Sequence, residues 1–267
     1  MLSDGSTRRL GNLSQPDEHL SLMGSFPVYG DDTTITPMFR EEDWPKYCRP
    51  AFEENLFLPP IADQDGIGMC NASATASLFE YTRAKQGLEY VELSAGDLYR
   101  RICGGSDNGS TLQDGMRESK NGIAPTSLVP YLDWRRSHVE APEARKKFAW
   151  LEIFIAPTLK EFMSGIIAGF GGVTGMPWYD SYSRLDGDGF LPAPGGRYGG
   201  HAIFAHTPVI TPSGRIGIEH NNSWTIRHGN RGRFVAPLSV YRNSGSFISG
   251  LWLVRSVVDE GGRIPGP

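Results

Sequence analysis

The sequence predicts an α+β protein, because helical patterns occupy the first part of the chain and short apolar runs replace them later. Helices are predicted to begin at Cys70, near residue 94, near residue 111 and at residue 159. Beyond residue 173, apolar runs of strand length alternate with Gly, Pro and Asn-Ser turns, which is typical of antiparallel β-structure. At 267 residues, 39% of them hydrophobic, the chain can form one large domain or two small ones.

Residues 1–40 are predicted to form an extended arm that precedes this α+β body. They are polar, they are interrupted by Gly, Pro and Asp, and their leucines are too scattered to define one face of a helix. Residues 41–63 then lead the chain toward the first long helix, and Pro59 and Pro60 keep this segment extended. We expect the arm to pack against the body or to bind a protein partner.

In the body, the predicted helices come first along the chain and the predicted strands follow them. The long helix from Cys70 has small residues in its first turns and ends at Gly87, as expected for a central helix packed on both sides. Residues 125–147 contain prolines and many charges, so they are predicted to be loop and short helix. The shorter helices are predicted within 93–98, 110–120 and 159–169, and the strands at 173–179, 201–210, 216–222, 233–237 and 249–254.

Cys70 stands at the predicted start of the long helix, six residues after Gln64. The unpaired N–H groups and the positive end of the helix dipole favour a thiolate there, so we expect a lowered pKa for Cys70. A small buried residue without chemistry is the alternative for a lone cysteine before an alanine-rich helix. His201 lies 131 residues further on and Asn222 lies 152 further on, and this spacing favours a reactive thiol.

At these residues the chain resembles the papain-like cysteine peptidases, and most closely their bacterial or phage-type branch. The likeness covers Pro59–Val254. It implies an α+β, papain-like fold of two lobes within one domain at 41–267. The helical left lobe would span about 60–130 and the antiparallel β right lobe about 150–267, with the active-site cleft between them. The motifs that carry the likeness are Gly104–Met116, Asn121-Gly122-Ile123, Trp178–Tyr182, Pro192-Ala193-Pro194 and Gly199-Gly200-His201, in that order.

The resemblance implies peptide-bond hydrolysis through an acyl-enzyme on Cys70, with His201 as general acid and base within hydrogen-bond range of the thiol. The side-chain oxygen of Asn222 would accept the other imidazole N–H, and the Gln64 amide would donate to the oxyanion. Trp224 would shield the hydrogen bond between His201 and Asn222 from water. Two alternatives stay open: an amidase or peptide ligase that uses the same site, and a catalytically weak or inactive papain-fold protein with a structural or assembly role.

The same resemblance suggests where a substrate would bind. Asn108 and Gly109 lie in the predicted glycine loop of the cleft, and Met176 aligns with the opposite wall of the main specificity pocket. A flexible thioether wall predicts a broad preference for an aliphatic or aromatic side chain. The preference concerns the substrate residue that precedes the one after which the chain is cleaved. Asn71 stands where the family usually has a bulky aromatic residue, which would alter the cleft wall. For residues 1–40, a cleaved inhibitory prosegment is the alternative to an attached arm, but the family's prosegments are strongly helical.

Charge and motif composition limit the other classes of function. A net charge of -4 does not indicate nucleic acid or an anionic membrane, so the expected partner is a peptide or protein substrate. The basic clusters Arg8-Arg9, Arg135-Arg136 and Arg145-Lys146-Lys147 are predicted to lie on solvated faces. No metal and no cofactor are expected, because the chain has neither a Cys-x-x-Cys nor a His-Glu-x-x-His motif to join with its remaining histidines.

The cysteines and the N-terminus bear on the compartment. Cys48 and Cys103 are predicted to be free thiols, because secreted members of the family usually carry several disulfides. The sequence shows no signal peptide and no apolar run long enough for a membrane span. These features predict a cytoplasmic or virion-associated protein.

Overall fold

The computed structural model describes residues 9–13, 26–136, 141–243 and 251–258. Its helices are α1 (Cys70–Lys85), α2 (Ala95–Ile102), α3 (Leu112–Glu118), α4 (Ala141–Arg145), α5 (Leu159–Ile167) and α6 (Leu238–Asn243). Its strands are β1 (Arg49–Pro50), β2 (Trp150–Ala156), β3 (Gly171–Tyr179), β4 (Tyr198–Ile210), β5 (Ile216–Asn221), β6 (Arg233–Pro237) and β7 (Leu251–Val257). Short 3-10 turns lie at Glu41–Lys46, Ser119–Asn121, Lys146–Phe148 and Asp180–Ser183.

The strands form a seven-stranded sheet in the order β2-β7-β3-β4-β5-β6, and β1 pairs with β4. Every pairing is antiparallel except that of the two-residue β1 with β4. The predicted α+β class and the antiparallel second half are therefore confirmed. Strand β4 lies inside the sheet between β3 and β5, so its residues are fixed from both sides.

Helix α1 joins the helical part of the molecule to this sheet. It packs against β4, β7 and β3 on one side and against α2 on the other. Its residues from Cys70 through Arg83 are buried, which explains why the sequence shows small side chains in the first turns and little amphipathicity. The helix starts at the predicted residue, and Gly87 follows it with a positive φ of 73°.

The shorter helices begin at side-chain caps. Ser94 accepts a hydrogen bond from the backbone N–H of Asp97, and Thr111 accepts one from that of Asp114. The helix predicted to run through residue 120 ends two residues earlier, and a 3-10 turn carries the chain on to Gly122. There the φ is 83°, and an added Cβ would overlap a backbone carbonyl, so glycine is required.

Strand β2 and helix α6 were not predicted. Strand β2 follows the charged segment; its first residues are partly exposed and Ile153–Ala156 are all buried, so its sequence does not alternate between apolar and polar residues. The placement of the Arg145 cluster on a solvated face was wrong for Arg145 itself. Its side chain is 15% exposed, and its guanidinium pairs with the buried carboxylate of Asp97. The ion pair holds the connection between the two halves against α2.

The described parts of the N-terminal 40 residues lie on the body. Tyr29 donates its backbone N–H to the Ile155 carbonyl at 2.8 Å, and Ile155 donates to Pro27 at 3.0 Å, so this segment runs alongside β2. The Phe26 ring packs edge-on against Trp252 with centroids 5.0 Å apart. Residues 9–13 lie elsewhere, between the helical part and the sheet. The rest of the predicted arm, at 1–8 and 14–25, lies outside the described residues, as do two residues of the last predicted strand.

Glu80 makes the stability of this fold depend on pH. It is buried on α1, its Oε1 accepts the backbone N–H of Leu93 at 2.7 Å, and burial raises its pKa from 4.5 to about 8. Between these values the folded chain keeps a proton that the unfolded chain releases, so the contribution of Glu80 to stability falls as pH rises. Glu80→Gln keeps the acceptor without the titration. We expect its Tm to exceed that of the parent by about 5 °C at pH 8 and by little at pH 5.

Thermal unfolding followed by circular dichroism measures this difference. The comparison is between two proteins at the same pH, so the titration of all other groups cancels. An equal Tm difference at both pH values would show that the Glu80 carboxyl is not protonated in the folded chain.

Candidate active site

The start of α1 and the middle of β4 meet at Cys70. The turn before the helix has positive φ at Asp65 and Gly66, 44° and 73°, and delivers the thiol to the first helical position. The Cys70 Sγ accepts the backbone N–H of Ala202 at 3.4 Å. Since Ala202 follows His201 on β4, this contact brings together the two residues that the sequence separates by 131 positions.

The imidazole of His201 is held by Asn222, which comes directly after β5. Its Nε2 lies 2.9 Å from the Asn222 Oδ1, so Nε2 carries the proton and Nδ1 has the free lone pair. The orientation of the amide is fixed twice. Its Oδ1 also accepts the backbone N–H of Ser223 at 2.8 Å, and its Nδ2 lies 3.1 Å from Nδ1 of His228. The amide therefore cannot present its nitrogen to His201 without losing these contacts.

Two tryptophans enclose the imidazole. The Trp224 ring stacks on His201 with centroids 4.5 Å apart and an interplanar angle of 25°. Trp178, on β3, meets the imidazole edge-on at 5.0 Å and contacts Trp224 at the same distance. All three rings are 5% exposed or less, so the hydrogen bond from His201 to Asn222 lies in a region without water.

Gln64 connects this group to the turn before α1. Its Oε1 accepts the hydroxyl of Ser223 at 2.6 Å, and its backbone N–H donates to the Ser223 carbonyl at 3.0 Å. Its Nε2 donates to the carbonyls of Ile67 at 2.6 Å and Arg9 at 3.1 Å. The Gln64 side-chain amide is thus occupied by a backbone carbonyl of the N-terminal segment.

Residues 9–13 occupy the cleft as an extended segment. The Gly11 backbone N–H is among the groups whose influence lowers the pKa of the Cys70 thiol against the effect of burial. Asn12 donates to the Gly200 carbonyl on β4 at 3.0 Å, and Ser110 exchanges backbone hydrogen bonds with the segment from the helical side at 2.8 and 3.0 Å. The segment thus touches both walls of the cleft, and the exposure of Cys70 and His201 is 0%.

The electrostatics of this covered site differ from the prediction of a lowered thiol pKa. Burial raises the pKa of Cys70, although backbone N–H groups that donate to the sulfur act in the opposite direction. Burial lowers the pKa of His201 to about 3. The predicted hydrogen bond between the two side chains is not formed, since the Nδ1 of His201 is buried without a partner. The covered site therefore holds a neutral thiol and a neutral imidazole.

The predicted substrate-binding residues lie at different depths. Gly109 has a φ of 87°, and an added Cβ would overlap the Gly11 carbonyl, so the loop approaches the cleft segment closely. Asn108 is exposed, and its side chain bonds to Ser106. Met176 is fully buried on β3 opposite His201. Their contact with substrate, including the apolar specificity pocket, stays a prediction.

Asn71 stabilises the glycine loop from below. It is fully buried and donates its amide to the Ser110 hydroxyl at 3.2 Å and to the Thr111 carbonyl. Its side chain lies against Gly115, where an added Cβ would overlap the amide. Asn71, at the position where papain-like peptidases usually have a bulky aromatic residue, therefore contributes to the packing between α1 and α3.

Sequence reasoning missed several residues of this site. His228 was considered only as a metal ligand, yet it contacts the Asn222 amide. Trp178 belongs to a motif of the predicted family but was not assigned to the imidazole. Arg9 and Gly11 belong to the predicted arm, for which the sequence indicated no place on the body. The contacts that place Arg9 and Gly11 join them to Gln64, Asp107 and Ser110, far along the chain, and no local pattern encodes such contacts.

The remaining histidines on the sheet have polar neighbours, although the Nδ1 of His220 is buried without a hydrogen-bond partner in the part of the chain that the structure describes. His206 lies 2.8 Å from the Thr207 hydroxyl and 3.2 Å from Asn221, and His220 lies 2.6 Å from the Tyr241 hydroxyl. Among the described residues, no group of three or more His, Cys, Asp or Glu side chains could hold a metal ion. Cys48, Cys70 and Cys103 are free thiols in the structure. Within the described ranges, no helix has the length and apolarity to cross a membrane.

Comparison with solved structures finds that the fold of this chain is similar to that of cysteine proteases. Xylellain, a cysteine protease from Xylella fastidiosa, matches with a TM-score of 0.72 and 18% identity over 94% of this chain and 98% of its own. The proCathepsin B S9 of Trypanosoma congolense matches with a TM-score of 0.68 and 17% identity over 93% and 86%. The bromelain protease of Ananas comosus, in complex with the E64 inhibitor, matches with a TM-score of 0.61 and 16% identity over 81% and 97%.

These likenesses show that the chain has the papain-like fold, as predicted. The helices around α1 form one lobe, the antiparallel sheet forms the other, and the cleft with Cys70 and His201 lies between them. No protein-family model and no curated protein sequence matches the chain.

Proposed function

We propose that the protein is a cysteine peptidase that hydrolyses peptide bonds through an acyl-enzyme on Cys70. One observation carries the proposal: a backbone carbonyl, that of Arg9, accepts the Gln64 amide in the cleft that holds the Cys70 sulfur. The site therefore binds an extended peptide backbone next to the thiol. His201, fixed by Asn222, supplies the base that this chemistry needs.

In the proposed reaction, the Nδ1 of His201 takes the thiol proton and the thiolate attacks the substrate carbonyl carbon. The charge that develops on the carbonyl oxygen is stabilised by the Gln64 Nε2–H and the backbone N–H of Cys70. The imidazolium gives its proton to the leaving amine, and the C–N bond breaks. Water then attacks the thioester with His201 as base, which releases the carboxylate and restores the thiol.

The segment at 9–13 keeps this site in a resting form. Its Arg9 carbonyl occupies the Gln64 amide and its backbone covers Cys70, so the segment blocks the place that a substrate would take. While it stays, burial keeps Cys70 and His201 uncharged. We propose that departure of the segment admits water and substrate, and that the ion pair of thiolate and imidazolium forms then.

A papain-fold protein that only binds a partner is the second candidate, and the complete burial of Cys70 is the observation that favours it. Labelling with a thiol-reactive epoxide, followed by peptide mapping, separates the two. The peptidase proposal expects selective modification of Cys70 over the half-buried Cys48, whose pKa burial raises to about 11, and over the buried Cys103. Equal or preferential labelling of the other two thiols would contradict it.

A further inference from the structure

The carboxylate of Asp107 lies at the edge of the candidate active site and is held rigidly by the helical lobe. Its Oδ1 accepts the Tyr99 hydroxyl at 2.7 Å and the backbone N–H of Gly68 at 2.8 Å. Both donors belong to the lobe itself, so the carboxylate keeps its orientation whether or not the cleft is occupied. Its Oδ2 pairs with the guanidinium of Arg9 at 2.8 Å.

The same residue, Arg9, connects this carboxylate to the reacting centre. Its backbone carbonyl accepts the Gln64 amide at 3.1 Å while its side chain reaches Asp107. A substrate residue whose carbonyl is attacked must also place its carbonyl oxygen at Gln64. The distance from that oxygen to the Asp107 carboxylate is therefore one that a long cationic side chain spans.

Resting on the proposed peptidase function, we propose that Asp107 is a specificity-determining residue that selects Arg or Lys at the substrate residue whose carbonyl is attacked. Arg9 fills this subsite in the resting chain. Gly68 lies two residues before Cys70 and an added Cβ there would crowd both Asp107 and the Tyr99 hydroxyl, so the subsite borders the thiol directly. It is distinct from the apolar pocket predicted between Gly109 and Met176.

The size of the preference follows from exposure and geometry. The Arg9 side chain is 51% exposed and that of Asp107 is 21% exposed, so water and salt screen the pair. An exposed ion pair contributes little to the free energy of binding, but a carboxylate held in a fixed orientation forms stronger, charge-assisted hydrogen bonds. We therefore expect about tenfold discrimination between a cationic and a neutral substrate side chain. The discrimination should decrease as ionic strength rises.

The test uses two peptidyl chloromethyl ketones that differ only in the residue next to the reactive group, arginine in one and its uncharged isostere citrulline in the other. The measurement is the second-order rate constant for alkylation of Cys70, located by peptide mapping. In the parent protein the arginine reagent is expected to react about tenfold faster. In Asp107→Asn, which keeps an acceptor for Tyr99 and Gly68, the ratio of the arginine rate constant to the citrulline rate constant is expected to fall to about one.

The outcomes separate this inference from the proposed function. If both reagents alkylate Cys70 at equal rates in the parent, or if Asp107→Asn leaves the ratio unchanged, the cationic subsite is wrong and the peptidase proposal stands. If Asp107→Asn slows both reagents equally, Asp107 only supports the loop. If neither reagent modifies Cys70 in folded Gly11→Leu, whose added side chain displaces the segment at 9–13, but both modify it after denaturation, the proposed function fails and the subsite fails with it.

Discussion

Replacing His201 by alanine is expected to lower kcat/KM for peptide hydrolysis on the order of 10⁴-fold or more, because thiolate formation and protonation of the leaving amine both depend on this imidazole. The substitution removes a ring between two tryptophans, so circular dichroism must first show that the variant is folded. Steady-state hydrolysis of a fluorogenic peptide measures the loss. A variant that is folded and retains more than a tenth of the parent activity would contradict the assignment.

Asn222→Ala provides the matched control, since Asn222 acts on the reaction only through His201 in this arrangement. Alone, it is expected to lower kcat/KM less than His201→Ala does. Added to His201→Ala, it is expected to have almost no further effect, because groups that act as a unit are not additive. Two independent, multiplying losses would show that Asn222 contacts the substrate or supports the fold by another route.

Gly11→Leu is expected to activate the protein. A Cβ at this position would overlap the carbonyl oxygen of Gly68, so the segment at 9–13 cannot keep its place in the cleft. The segment is held by several backbone hydrogen bonds of about 0.5–1.5 kcal/mol each, offset by the entropy of ordering five residues. Release of the segment is therefore expected to speed the alkylation of Cys70 by an epoxide by about tenfold to a hundredfold. This range converts the net free energy that holds the segment at about 1.4 kcal/mol per factor of ten.

Gly187→Ala is the control for this experiment. Gly187 lies in an exposed loop of the sheet lobe, and nothing stands within 4 Å of an added Cβ, so the labelling rate should equal that of the parent. If Gly11→Leu is folded and labels at the parent rate, the segment does not limit access to the thiol. A hydrolysis rate that rises together with the labelling rate would further support the resting form proposed for this chain.

Local patterns were sufficient for most of the fold. The start of α1 at Cys70 and the strand at 233–237 were predicted at their observed ends, because an apolar run and its flanking turns mark such elements in the sequence. Strand β2 was missed because its sequence does not alternate between apolar and polar residues. The burial of Arg145 was missed as well, since its partner Asp97 lies 48 residues earlier and on another helix.

The candidate site could be predicted only in part. Side chains that chemistry requires in a set, such as Cys70, His201 and Asn222, were found by their type and spacing. The protonation states of Cys70 and His201 could not be predicted from the sequence. A helix start favours the thiolate only when solvent reaches it, and here the N-terminal segment of the chain covers the sulfur. The position of that segment depends on hydrogen bonds from the backbone, which any residue type can make.

The covered thiol also has a consequence for oxidative chemistry. Peroxides attack thiolates, and the formation of sulfenic and higher acids depends on thiolate character and on access. In the structure Cys70 is fully buried, accepts the Ala202 N–H, and has a pKa raised by burial, so it lacks both conditions. If Cys70 is the nucleophile that we propose, the covered chain stores it in a form that oxidants do not readily convert, and displacement of the segment at 9–13 exposes it to activity and to oxidation together.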